Sequence, residues 1–156
     1  MLKMISPVTL PLRGFAELCA TSQAEGFAML TRLEQHWQDG SNRFNKTGEI
    51  LLAAWSGGEL AGIGGLNQCP FDTHPQAARL RHLYISPAFR RQKMGFALVN
   101  ALEAHARLAG FHHLNTHAPE TAFAFYQQLG FIPVAGQERL THQKYLYPAA
   151  HHNWQQ

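Results

Sequence analysis

The sequence predicts an α+β (mixed α/β) protein whose central sheet is mixed, mostly antiparallel, and covered by helices on both faces. Three observations carry that reading. Two helix-period segments open the chain, two strand-period runs are joined by a glycine turn in its middle, and strand and helix then alternate before two closing strands. The resulting order, ααβββαβαββ, joins an antiparallel front to a β-α-β crossover.

Residues 12–22 and 24–38 read as helices; in the second, Phe27, Leu30, Leu33 and Trp37 recur every three or four residues, and Gly40 stops it. The run ILLAAWSGGELAGIGGL (50–66) is a pair of strands around Ser56, Gly57, Gly58 and Glu59, where glycine supplies the positive φ of a tight hairpin. CPFDTHPQ is a loop by its prolines and aspartate, and ARLRHLYIS (78–86) is a third strand ended by Pro87. From Gln92 to Ala109 the period becomes helical. Met94, Leu98, Ala101, Leu102, His105 and Leu108 form one stripe, with Asn100, Glu103 and Arg107 opposite. Glu103 and Arg107 make an i,i+4 pair, and Gly110 suits a left-handed cap. A strand at 112–117 leads to a helix opened by Pro119 and closed by Gly130, and FIPVAG and ERLTHQKYLY are the last two strands.

With 156 residues, 46% hydrophobic and 15% charged, the chain fits a single domain over 1–147, with a dispensable tail at 148–156. No apolar run approaches the length of a membrane helix, and MLKMISPVTLPLRGF lacks the apolar core of a secretory signal, so the expected location is cytoplasmic. Cys19 and Cys69 lack redox or zinc spacing and read as buried thiols. A net charge of +3 is mild, and the basic residues cluster only at Arg79, Arg81, Arg90, Arg91 and Lys93. Nucleic-acid binding needs a longer basic face with interleaved aromatics, and is not expected.

That cluster marks the candidate site. SPAFRRQKMGFALV (86–99) runs from a strand through a turn into a helix, and the first turn of a helix offers unpaired amides and partial positive charge to a phosphate. Arg90, Arg91 and Lys93 add mobile charge, and the small Gly95 and Ala97 let a ligand approach the backbone. A pyrophosphate is the expected occupant.

Here the sequence resembles the GNAT N-acetyltransferase superfamily, bacterial small-molecule members in particular. The family's acetyl-CoA signature, Q/R-x-x-G-x-G/A, is matched by Gln92, Lys93, Met94, Gly95, Phe96 and Ala97 after LYISP, and AFAFYQQLGF (122–131) is similar to its second signature. The resemblance extends to about Tyr147. It implies a six- to seven-stranded sheet with about four helices, in which the strand holding Leu83, Tyr84 and Ile85 splays from the strand at 112–117. Acetyl-CoA as co-substrate then inserts its pantetheine arm into the gap. By the same resemblance the Leu83 amide polarises the thioester carbonyl, a contribution worth about 3 kcal/mol at a developing oxyanion. Ile85 pairs with pantetheine, Arg91 to Phe96 hold the pyrophosphate, and Tyr126 protonates the departing sulfur. Two positions depart from the family pattern. Lys93 stands where glycine is common, serving through its amide if it keeps a helical φ, and Pro119 replaces an asparagine that contacts the pantetheine arm.

The implied reaction is direct acetyl transfer, in a ternary complex, to the primary amine of a small molecule. A non-catalytic acyl-CoA sensor and a protein N-acetyltransferase are the alternatives. Strand alternation puts Arg79, Arg81, Leu83 and Ile85 on one face and Leu80, His82 and Tyr84 on the other. If the cleft lies on the face of Leu83, Arg79 or Arg81 binds an acceptor carboxylate or phosphate, and water or His117 removes the amine proton. His82 becomes a candidate base only if that alternation fails. Asn42 and Arg43 in GSNRF, and Asn67, are further acceptor-side candidates. No metal is expected, because the adjacent His112 and His113 should face opposite sides of a strand and no cysteine or carboxylate cluster completes a set. No serine occupies a hydrolase elbow. Homodimerisation occurs among relatives, and nothing in the sequence decides it.

Overall fold

Pairing begins earlier in the chain than its pattern suggests: Lys3–Pro7 is a strand, β1, lying antiparallel to Ile50–Ser56, β2. The computed structural model describes residues 2–146, so Tyr147 and the expected tail from Pro148 lie outside the described residues. Between β1 and β2 come helices α1 (Phe15–Ala24) and α2 (Met29–Asp39). Then follow β3 (Glu59–Gln68), β4 (Ala77–Ile85), α3 (Met94–Leu108), β5 (His113–Thr116), α4 (Phe123–Gln128), β6 (Ile132–Pro133) and β7 (His142–Tyr145). The seven-stranded sheet has the order β1-β2-β3-β4-β5-β7-β6, with β4 and β5 parallel and every other pair antiparallel. The expected α+β class and mixed sheet are therefore observed, with β1 as the strand the pattern missed. No helix among the described residues is long and apolar enough to cross a membrane.

The sheet separates two cores. On one side Leu30, Leu33, Phe15 and Leu18 from α1 and α2 pack with Phe44, Leu51, Ile63 and Tyr84. On the other, Leu98, Val99, Leu102 and Ala106 of α3 pack with Leu66, Leu80 and Leu114, and with Tyr126 of α4. The buried stripe of α3 differs from the expected one. Leu108 is 90% exposed, because at about 100° per residue it lies about 120° round the helix from Leu102, which is fully buried. Cys19 and Cys69 are half-buried and free, where buried thiols were expected.

Alternation fails in β4. Ile63 pairs with Tyr84 but Gly65 pairs with Arg81, so His82 and Leu83 together oppose the single residue Gly64. His82 takes φ +59° to make this bulge. Arg79 opposite Asn67 and Arg81 opposite Gly65 therefore lie on the α2 side, whereas Leu83 and Ile85 pack into the α3 side. The shared face expected for Arg79, Arg81, Leu83 and Ile85 does not exist, because one extra residue shifts the two-residue period. Gly65 also allows Phe44 to cross β3: a Cβ there would stand 2.4 Å from the Phe44 ring.

After β4 the chain turns through Pro87–Phe89, one turn of 3-10 helix, to the start of α3. Arg91 (φ +71°) and Lys93 (φ +59°) are both left-handed. The condition set for Lys93, a helical φ, is thus not met. It is the N-terminal boundary residue of α3, and glycine suits the position because a side chain there crowds the following carbonyl.

Two outcomes follow from these backbone positions. Lys93→Gly should stabilise the protein by about 0.5–1 kcal/mol in urea unfolding at unchanged m value; an unchanged or lower midpoint contradicts the strain. His82 is nearly inaccessible, and burial, with Arg81 next, pushes its imidazole down to about 3. The unfolded imidazole takes a proton near pH 6.5, so stability is complete above about 6.5 and falls toward pH 3, by up to about 1.4 kcal/mol per pH unit. His82→Asn, which tolerates the left-handed backbone, should flatten that loss between about pH 6.5 and 4. An unaltered slope would refute the assignment.

Candidate active site

Strands β4 and β5 share a ladder only from Ala77 to Arg79 against His113 to Asn115, yet β4 continues to Ile85. The last tie is the Thr116 hydroxyl, which donates to the Leu80 carbonyl at 3.3 Å. Beyond it the strands part around a cleft of about 1080 Å³, bounded by β4, the turn into α3, the start of α4 and the α1–α2 connection. Because it opens at the strand's edge, every residue from Arg79 to Ile85 lines it, whichever face its side chain takes.

At one end lie the residues expected to hold the coenzyme. Arg91, Lys93, Met94, Gly95 and Phe96 line the cleft with Leu83, Tyr84 and Ile85. No side chain caps the start of α3, which leaves its first amides available. Gln92 and Ala97 are not part of the lining. Gln92 turns toward β1 and β2, its carbonyl accepting from Lys3 Nζ at 3.1 Å and its Oε1 from the Ser56 hydroxyl at 3.5 Å. Gly95 is small for a different reason from the one expected: a Cβ there would stand 3.1 Å from Phe125 of α4, so the space is taken by packing.

Arg90 is not mobile charge. Its Nη1 and Nη2 donate to the two Glu25 carboxylate oxygens at 2.9 and 2.7 Å, and its Nε donates to the Ile85 carbonyl at 3.1 Å. The Tyr84 hydroxyl donates to the same carboxylate. The bonds from Arg90 and then Tyr84 hold Glu25 below the usual carboxylate range, while burial and the Glu25 contact push Tyr84 up.

Tyr126 and His117 face the cleft from its other wall. Tyr126 is 4% exposed, and burial pushes its phenol up to about 12, so it keeps its proton at neutral pH. Pro119 also lines the cleft; it precedes a one-turn 3-10 helix, Glu120–Ala122, and α4 begins only at Phe123.

Toward α2 the cleft is cationic. Arg32, Arg79 and Arg81 line it, and among the described residues none of the three forms an ion pair. Burial, then Arg79 and Arg32, push Arg81 down to about 10, and the Glu49 carboxylate offsets this only in part. Arg79 lies over the Phe71 ring at 5.0 Å, as Arg139 does at 4.6 Å. Beside them His82 has neither ring nitrogen hydrogen-bonded, although both are buried. The condition on which His82 was set aside, strict alternation, does not hold. Glu25 and Arg32 were missed: in the sequence one is a helix-end glutamate before Gly26 and the other an ordinary polar helix position, and neither carries a motif.

The three other acceptor-side candidates lie elsewhere. Asn42 and Asn67 exchange reciprocal amide bonds at 2.9 Å, and Asn42 also accepts from the Phe44 amide. Arg43 donates to the Trp37 carbonyl at 2.8 Å, closing the end of α2. None of the three lines the cleft.

The chain matches the model of the GNAT acetyltransferase domain over residues 18–144. No curated protein sequence matches it. Among solved structures, a protein of Exiguobacterium sp. 255-15 assigned by inference as an acetyltransferase is 30% identical, with TM-score 0.81 over 93% of this chain and 94% of that one. A GNAT-family acetyltransferase of Staphylococcus aureus Mu50 shares 12% identity, with TM-score 0.72 over 94% and 100% of the two chains. The PaiA N-acetyltransferase of Thermoplasma acidophilum, solved with coenzyme A, shares 18%, with TM-score 0.68 over 93% and 99%. The last two likenesses concern the fold alone. An opened β4–β5 pair, an uncapped helix start beside it and a family match over most of the sequence lead to one assignment: the chain belongs to the GNAT acetyltransferases.

Proposed function

We propose that the cleft binds acetyl-CoA along the open edge of β4 and transfers its acetyl group directly to the primary amine of a small acceptor bearing a carboxylate or phosphate. The observation that carries this reading is the trio Arg32, Arg79 and Arg81, none of them in an ion pair among the described residues, at the end of the cleft away from the α3 turn. Arginine's planar fork suits such an anion, and burial strengthens the attraction. A polycationic amine or a basic peptide would be repelled from the same wall.

In this reading the backbone of Arg91 to Phe96 takes the pyrophosphate at the start of α3. The Leu83 amide polarises the thioester carbonyl. Ile85, whose carbonyl already accepts from Arg90, has a second lone pair for a pantetheine amide. The ammonium first loses a proton to His117 or through it to solvent; the neutral nitrogen then bonds to the acetyl carbon, the carbon–sulfur bond breaks, and the second proton that nitrogen sheds restores, through solvent, the one Tyr126 gives to sulfur. Tyr126, protonated at neutral pH, donates to the leaving sulfur. His82, neutral and without a partner, hydrogen-bonds the acceptor; an imidazole held near 3 is too weakly basic to take a proton from an ammonium.

Tyr126→Phe should lower kcat about 100-fold with little change in the KM for acetyl-CoA, the lower bound of a general acid's contribution. In an acceptor panel, amines carrying a carboxylate or phosphate should be preferred, and Arg81→Ala should raise their KM at least about tenfold. Polyamines as best substrates, with KM indifferent to Arg81→Ala, would overturn the acceptor class. Tight coenzyme binding without turnover of any amine would replace transfer by sensing.

A further inference from the structure

At the opposite end of the β4–β5 pair, where the ladder is intact, three imidazoles meet: one ring nitrogen from each of His74, His112 and His113 lies within 4.8 Å of the others. The sequence expectation that His112 and His113 diverge is wrong, because β5 begins only at His113 and His112 stands before the strand, outside its alternation. Their Nδ1 atoms are 2.8 Å apart, with the rings 86° to one another. None of the three lines the cleft.

We propose that His74, His112 and His113 bind a borderline divalent cation of the zinc class, with Asp72 as the outer carboxylate that orients His113. Asp72 Oδ2 is 2.7 Å from His113 Nε2 and also accepts from Asn115 at 2.9 Å, while Oδ1 accepts from the His74 amide at 2.8 Å. The same Oδ2 that accepts from Asn115 faces His113 Nε2, an arrangement that fits a proton on Nε2 and turns the Nδ1 lone pair toward His112. A carboxylate fixing one nitrogen while the other faces a metal is the usual outer arrangement of a metal-bound histidine.

Two nitrogens about 2.05 Å from a tetrahedral ion stand about 3.3 Å apart, so His112 and His113 need open only slightly as the proton between them is displaced. His74 moves more. Its ring is stacked on His112 at 4.6 Å and 14°, and an ion must lie in the plane of each imidazole that binds it. The ring therefore turns out of the stack and releases the bond its Nδ1 accepts from the Gln76 amide. His74 is exposed and sits in the β3–β4 loop, where that rotation meets little packing. Three imidazoles suit zinc, nickel or copper and disfavour magnesium or calcium. Bound there, the ion clips the β3–β4 loop to the start of β5, and its role is stabilisation away from the transfer chemistry.

The test uses the full chain with His151→Ala and His152→Ala, removing the two tail imidazoles that would compete. Calorimetric titration with zinc chloride should give one ion per chain at micromolar affinity or tighter, and cobalt should show the intense visible bands of a four-coordinate site. His112→Phe, which keeps the aromatic contacts, should weaken binding at least about 30-fold, and His74→Ala at least about tenfold, since losing a ligand costs no less than the roughly 10–100-fold of losing an outer partner. Zinc should raise the melting temperature by about 3–4 °C in the parent and leave His112→Phe unmoved. Absence of binding at about 100 µM zinc, or equal affinity in the His74→Ala/His112→Phe double variant, would overturn the site and leave surface adsorption only.

Discussion

A strand edge without a partner inside a folded protein must find hydrogen bonds elsewhere, and the cleft is a consequence of that requirement. The β4–β5 ladder ends at Arg79 and Asn115, while β4 runs on to Ile85. Thr116 supplies one substitute to Leu80, and Arg90 another to Ile85. An extended ligand with its own amides would complete the ladder as a missing strand does, which is why a parallel pair that opens halfway makes a slot rather than a defect. Helix α3 begins at the same opening, so backbone donors converge from two elements on one volume.

The His82 bulge decides what else reaches that volume. Without the extra residue, β4 would send Arg81 and Leu83 to the same face. With it, Leu83 and Ile85 pack toward α3, and Arg79 and Arg81 stand toward α2. The cleft thus acquires an apolar, backbone-lined half and a cationic half from one strand. The cost is local: a left-handed histidine buried without a hydrogen-bond partner, the kind of strained, unsatisfied group that concentrates at functional sites.

Much of this was legible in the residues because it depends on local chemistry. The hairpin at Gly57 and Gly58, the strand before Pro87, the helix from Met94 and the arginine-rich turn follow from glycine, proline and periodicity. What was not legible depends on partners distant in sequence. Strand β1 is short, an edge strand and mostly exposed, so KMISP shows little alternation. The bulge is invisible because β-branched and aromatic composition does not reveal a one-residue slip. Arg90 looked free because Glu25 lies 65 residues away. Asn42 and Asn67 looked available because nothing in the sequence shows that each satisfies the other.

That same arginine joins pieces of chain that lie far apart in sequence. One guanidinium grips the carboxylate at the end of α1 with two nitrogens and the last residue of β4 with the third, while the Tyr84 phenol shares the same anchor. It behaves as a rivet between the α1–α2 connection and the end of β4. Loss of its charge would therefore be felt first as slackness of the α1–α2 connection, and a kinetic defect at Arg90 would report the order of that segment before it reported the grip on a phosphate.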